Sequence, residues 1–120
     1  MAWTSSNQIM TAQSVAGTEI LSDAVTLTPG EICNVQVKAV FPNPATDNLY
    51  LRLYTSLDNS QWDTEEFRFL GSIAKGDGAT KYMTFQVFGV RYFKVGAIRS
   101  GSTDTITTDM WEIQDGIDAS

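Results

Sequence analysis

Phe85-Gln86-Val87-Phe88-Gly89-Val90-Arg91-Tyr92-Phe93-Lys94-Val95-Gly96-Ala97-Ile98-Arg99 forms the apolar, aromatic and β-branched centre of a 120-residue chain. Phe93, Val95 and Ala97 alternate with Tyr92, Lys94, Gly96 and Ile98, the period of two that buries one face of a strand and leaves the other wet. The stretch reads as a pair of strands with a bend at Gly89. Its cleanest partner is Asn48 to Leu57, where Leu49, Leu51, Leu53, Thr55 and Leu57 point one way and Tyr50, Arg52, Tyr54 and Ser56 the other. Both read as central strands of one sandwich, with Leu49, Leu51, Leu53, Phe93 and Val95 in its core.

Working outward, Val25-Thr26-Leu27 runs into Thr28-Pro29-Gly30-Glu31, where Pro followed by Gly supplies the backbone angles of a type II turn. Val35, Val37, Ala39 and Phe41 alternate with polar neighbours until Pro42-Asn43-Pro44, and proline cannot donate to a ladder. The run Ser56-Leu57-Asp58-Asn59-Ser60 closes the strand before it through short polar side chains that bond their own backbone. Phe67 to Leu70, Tyr82 to Val87, Thr105 to Thr108 and Met110 to Ile113 supply further strands, with Gly76-Asp77-Gly78 and Ser100-Gly101-Ser102-Thr103-Asp104 as turns. No window carries a helical period free of Gly and Pro. The expected fold is all-β: a single antiparallel β-sandwich, jelly-roll-like, over residues 24–115, with an extended N-terminal arm (1–23) and a C-terminal tail (116–120).

The arm differs in texture from the rest. Ser, Thr, Gln, Asn and Ala dominate it, and Trp3, Ile9, Met10 and Val15 are scattered without an amphipathic period. Two readings stay open: an arm ordered by contact with something else, or a first strand near Ile20 behind a loose leader. On the first reading Trp3, Ile9, Met10 and Val15 form a partner interface.

Fourteen acidic against eight basic side chains leave a formal charge of −6, which opposes the phosphate neutralisation that nucleic-acid binding needs. No stretch approaches the roughly 20 apolar residues of a membrane span, and the start resembles no signal peptide. One cysteine, Cys33, excludes an intramolecular disulfide and reads as a small core residue. With no histidine, Ser-His-Asp and Cys-His nucleophiles and most zinc sites are unavailable.

Carboxylate pairs remain as candidates for chemistry: Asp58 with Asp63, Glu65 with Glu66, Asp104 with Asp109. Each sits in or beside a turn, where acidic residues serve solvation and turn formation. Asp58-Asn59-Ser60-Gln61-Trp62-Asp63 offers oxygen ligands to calcium but lacks the central Gly and terminal Glu of an EF-hand loop. Trp3, Trp62 and Trp111 are either core and subunit-contact anchors or flat surfaces for a sugar ring. The expectation is a chain without catalysis, metal or cofactor.

The runs Asp47-Asn48-Leu49-Tyr50-Leu51-Arg52-Leu53-Tyr54-Thr55-Ser56-Leu57-Asp58 with Trp62-Asp63, Gly89-Val90-Arg91-Tyr92-Phe93-Lys94-Val95-Gly96, and Arg99-Ser100-Gly101-Ser102-Thr103-Asp104-Thr105 resemble small β-sandwich virion proteins of tailed bacteriophages, nearest the head decoration (cement) proteins. The likeness spans residues 25 to 115 and consists of strand and turn patterns. It implies a non-enzymatic protein made in the host cytoplasm that binds the major capsid protein on the capsid exterior. It also implies a homo-oligomer, with the trimer favoured. Similar textures occur in tail-associated sandwiches, which leaves a carbohydrate- or receptor-binding tail module as the alternative.

Overall fold

The computed structural model describes residues 5–115. Nine strands follow in order: β1 (Asn7–Val15), β2 (Ile20–Leu21), β3 (Val25–Thr26), β4 (Ile32–Val40), β5 (Leu49–Ser56), β6 (Arg68–Ile73), β7 (Thr80–Val87), β8 (Tyr92–Arg99) and β9 (Ile106–Asp115). No helix occurs among the described residues. One sheet has the order β1-β9-β4-β7; the other has β2-β8-β5-β6, with β3 also on β8. Every pairing is antiparallel. Counting β2 and β3 as one interrupted strand on β8, eight strands alternate between two sheets with β5–β6 as the one hairpin among the described residues. That is jelly-roll connectivity.

The period-two segments decide which faces meet. Leu49, Leu51 and Leu53 of β5 and Phe93, Val95 and Ala97 of β8 are buried, and they face Val35, Val37 and Ala39 of β4 and Met110 of β9 across the sandwich. Each fully buried Leu or Phe stabilises the fold by about 1.5–3 kcal/mol through surface removed from water. β5 and β8 pair from Leu49↔Arg99 to Ser56↔Tyr92, the partnership that their alternation predicts. The two strands flanking Gly89 part company, however. Gly89 takes φ 77, and the chain crosses there from β7 in one sheet to β8 in the other. The Pro29-Gly30 turn closes with a bond from Glu31 N to Thr28 O at 3.0 Å and Gly30 at φ 88, and it too joins the two sheets.

The expected N-terminal arm needs correction. Residues 7–15 are an integral strand on β9, running from Asn7↔Glu112 to Val15↔Ile106. Ile9, Met10 and Val15 are 2%, 4% and 0% exposed, in the chain's own core rather than at a partner interface. The physical reason is a pair of register shifts, between Gln8 and Met10 and between Met10 and Gln13, which turn two consecutive side chains inward and erase the alternation. Asp109 pins the irregularity: its Oδ1 accepts from Ala12 N at 2.8 Å and from Gln8 Nε2 at 3.2 Å, and Ala12 is held at φ 40. The sandwich therefore starts at β1, not at residue 24. Trp3 and residues 116–120 lie outside the described residues.

Candidate functional site

Cys33 is fully buried at the start of β4, and its Sγ donates to Glu112 Oε1 at 3.6 Å. Burial, with the neighbouring Glu112 charge second, pushes the thiol far above its ordinary range, so it is a packed hydrophobe rather than a nucleophile. Glu112, a buried carboxylate that also accepts from Gln114 Nε2 at 3.1 Å, escaped the sequence reading because it stands at an inward position of β9 beside Met110.

The paired carboxylates serve the backbone. Asp58 Oδ1 accepts from Ser60 N and Gln61 N, both at 2.9 Å. Those bonds, the Gln61 amide foremost, hold its carboxyl below the ordinary value. Asp63 Oδ2 accepts from Thr55 N at 2.9 Å and Thr55 Oγ1 at 2.8 Å. The candidate calcium loop is thus built as a hydrogen-bonded turn with Asn59 at φ 61, and no cluster of three metal-ligating side chains occurs among the described residues. Glu65 and Glu66 are both exposed, and Glu66 stands 3.8 Å from Arg52 Nε. Asp104 and Asp109 go to different places: the first into a loop, the second under the β1 bulge.

Asp104 meets an unforeseen partner. Its Oδ2 accepts from Thr46 N at 2.7 Å and Asp47 N at 2.8 Å, and its Oδ1 accepts from Thr46 Oγ1 at 2.9 Å. Asp47 Oδ2 returns the arrangement, accepting from Thr103 N at 3.0 Å and Asp104 N at 2.8 Å. The Asp47 amide above all, then Thr46 and the Arg99 charge, outweigh burial and hold the Asp104 carboxyl below its ordinary value. A signal was present in the sequence: Thr-Asp occurs in both loops, as Thr46-Asp47 and Thr103-Asp104.

This latch is one of several at the same end, where the β1–β2, β4–β5, β6–β7 and β8–β9 connections meet. Asp77 Oδ1 accepts from Ala45 N at 2.9 Å, Asn48 Oδ1 accepts from Lys75 N at 3.0 Å, and Ser100 Oγ accepts from Asn48 N at 2.8 Å. Arg99 N donates to Ala16 O at 3.4 Å and Arg99 Nη1 to Asp104 O at 3.0 Å. All four connections are tied into one rigid end.

The opposite end carries the β3–β4, β5–β6 and β7–β8 connections and collects exposed apolar side chains: Ile32, Leu57, Phe67 and Phe88. Leu57 is 93% exposed although its place in the β5 alternation predicts burial. The strand ends at Ser56, whose buried hydroxyl accepts from Asn59 N at 2.9 Å and donates to Gln61 O at 2.7 Å, so the chain turns before Leu57 can point inward. Ile32 and Phe88 line one shallow depression with Gly30, Glu31, Gln86 and Gly89. Exposed apolar side chains on a hydrogen-bonded backbone are suited to contact, since side-chain rather than backbone freedom is what is lost when they are covered.

The tryptophans divide. Lys94 Nζ lies 4.6 Å from the centre of the half-buried Trp62 ring, on the outer face of the β2-β8-β5-β6 sheet. Tyr50 and Phe69 meet edge-to-face there at 5.7 Å, and Tyr54 donates to Glu19 Oε1 at 2.7 Å. Trp111 is half-buried on the outer face of the other sheet, beside Asn34, Gln36 and Thr84.

No family model matches the chain, and no curated protein matches it. Among solved structures, it superposes on a chain of the T13 IBDV viral particle, described in connection with the evolution of icosahedral viruses, with a TM-score of 0.56 and 11% identity. The match covers 93% of this chain and 31% of that one. At that identity the likeness is one of fold. The neighbour comes from IBDV rather than from a tailed phage.

Proposed function

We propose that this chain is a non-enzymatic structural protein of a virion, and more narrowly a decoration protein that binds the outer surface of a phage head and stabilises it. The observation that carries the reading is the superposition of nearly the whole chain on part of a viral particle chain. The chemistry agrees with it. Histidine is absent, Cys33 is inert, and Asp58, Asp63 and Asp104 accept backbone hydrogen bonds. The end bearing Ile32, Leu57, Phe67 and Phe88 is the surface assigned to the shell protein, because apolar anchors at interface centres supply most of the affinity. The acidic remainder keeps the unassembled protein soluble.

The test is co-sedimentation of the purified chain with undecorated heads, followed by the heads' thermal rupture. Saturable binding that raises the rupture temperature supports the reading. Binding with no change in rupture, or no binding at all, removes the decoration role. A second reading, a glycan-binding tail module, draws on Tyr50, Tyr54, Trp62 and Phe69 sharing one outer sheet face. A glycan-array signal lost in Phe69→Ala would favour it.

A further inference from the structure

We propose that β7 is a docking edge for a second copy of this chain, which pairs with it antiparallel about a twofold axis at Tyr82. A two-sheet sandwich has four edges, and soluble proteins interrupt theirs to avoid unwanted pairing. Three edges here are interrupted. β1 has two register shifts, β2 and β3 are separate short pieces, and β6 has a register shift opposite Leu51 and Arg52 with Gly71 at φ 140. β7 pairs with β4 over eight consecutive residues, Thr80 to Val87, without a shift. Its backbone is the one uninterrupted edge of the four, guarded only by Lys81 and, at one end, by Arg68.

The free backbone groups of β7 select the occupant. In an antiparallel ladder alternate residues bond a given neighbour. The bond from Phe41 N to Ala79 O, 2.8 Å, continues the β4–β7 ladder and turns the odd-numbered residues of β7 toward β4. The N–H and C=O groups of Thr80, Tyr82, Thr84 and Gln86 therefore face outward. Arg68 Nη2 donates to Gln86 O at 3.1 Å, which agrees with that orientation and caps one end of the edge. Thr80, Tyr82 and Thr84 remain, a set symmetric about Tyr82. A twofold there places Tyr82 opposite its own counterpart and Thr80 opposite Thr84, with like faces matched as the pleat requires.

Charge favours a copy at this place and disfavours one elsewhere. At −6 the chain repels itself in general, yet β7 holds no carboxylate and one cation, Lys81, which would face Met83 rather than another charge. Pairing covers Tyr82, 57% exposed, and closes over Met83 and Phe85 at the rim of the core. Pairing over Thr80 to Thr84 is a small contact, below the roughly 1,000 Å² expected of a specific stable interface, so the dimer is weak and concentration-dependent. The inference does not rest on the virion reading.

Sedimentation of the purified chain from low micromolar to several hundred micromolar should show a monomer–dimer equilibrium. Thr84→Pro removes an N–H that β4 does not use, so it should abolish the dimer while leaving circular dichroism and Tm nearly unchanged. In the dimer the two Tyr82 Cα atoms lie about 5.5 Å apart, within disulfide reach. Tyr82→Cys should then cross-link to itself on mild oxidation and Thr84→Cys should not. A wild type that stays monomeric throughout, a dimer that survives Thr84→Pro, or equal cross-linking at both positions overturns the proposal. If Thr84→Pro fails to fold, the cysteine pair decides alone.

Discussion

At one end of the sandwich four connections are bonded to one another through Asp47, Asp104, Asp77, Asn48 and Arg99. At the other, the side-chain bonds of Thr28 with Glu31 and of Ser56 with Asp58 stay inside their own loops. The first arrangement makes the loops depend on one another, so a fault in one spreads. The second lets each loop hold its shape alone and leaves Leu57, Phe67 and Phe88 free of internal duties. Stability is concentrated at the latched end and contact surface at the open one.

The largest effect should come from removing the strand that runs between both ends. Deleting residues 2–18 takes away β1 and with it Ile9, Met10 and Val15, so no cooperative thermal transition should remain by circular dichroism. A truncated chain that melts normally would return these residues to the role of a dispensable arm.

A matched pair of glycine substitutions compares the ends directly. A Cβ on Gly101 would lie 2.1 Å from Asp47 Oδ1, so Gly101→Ala must drive Asp47 off Thr103 N and Asp104 N. Leaving the buried Asp104 amide and the part-buried Thr103 amide unpaired costs on the order of 2–3 kcal/mol. Gly89→Ala, at φ 77 with nothing within 4 Å of the added atom, meets only backbone strain of about 1–2 kcal/mol. Equal losses in chemical denaturation would show that the latched end is no stiffer than the open one.

Acid sharpens the same contrast. The Asp104 carboxyl is depressed in the folded state, so its contribution is complete above the unfolded value of about 3.9 and is lost as pH falls through the lower folded value. Asp58 is depressed by bonds local to its own loop. Melting followed from pH 5 downward should lose its steepest slope in Asp104→Asn and much less of it in Asp58→Asn. The smallest change in stability belongs to Leu57→Asp at the open end, within about 0.5 kcal/mol as for other surface sites, yet this variant should weaken binding to heads in the co-sedimentation assay.

How far the sequence could be read follows the same physics. β5 and β8 were legible because they are regular and central: Leu49, Leu51, Leu53, Phe93 and Val95 alternate without a bulge and are all buried. β1 was not, because a bulged edge strand places Ile9 and Met10 inward together and carries polar residues elsewhere. Leu57 misled because periodicity has no term for the turn that Ser56 imposes. The Asp47–Asp104 latch joins residues from separate loops, and no local pattern states which turn acid will find which amide. The open end was invisible for a plainer reason: exposed Phe67 and Phe88 look like core residues until the crossover at Gly89 is known.

The order in which the strands are written along the chain differs from the order in which they pair. β1 rests on β9, so the earliest of the nine described strands has its partner in the latest of them. Until β9 emerges, Ile9, Met10 and Val15 have no ladder to join, and the β1-β9-β4-β7 sheet lacks the strand that sits between β1 and β4. Among the described strands only β5 and β6 pair as sequence neighbours, so only that hairpin can form early. Closure of this sandwich is thus gated by β9, and chains whose β9 has yet to dock would hold unpaired apolar edges, where exchange of strands between chains competes with correct closure.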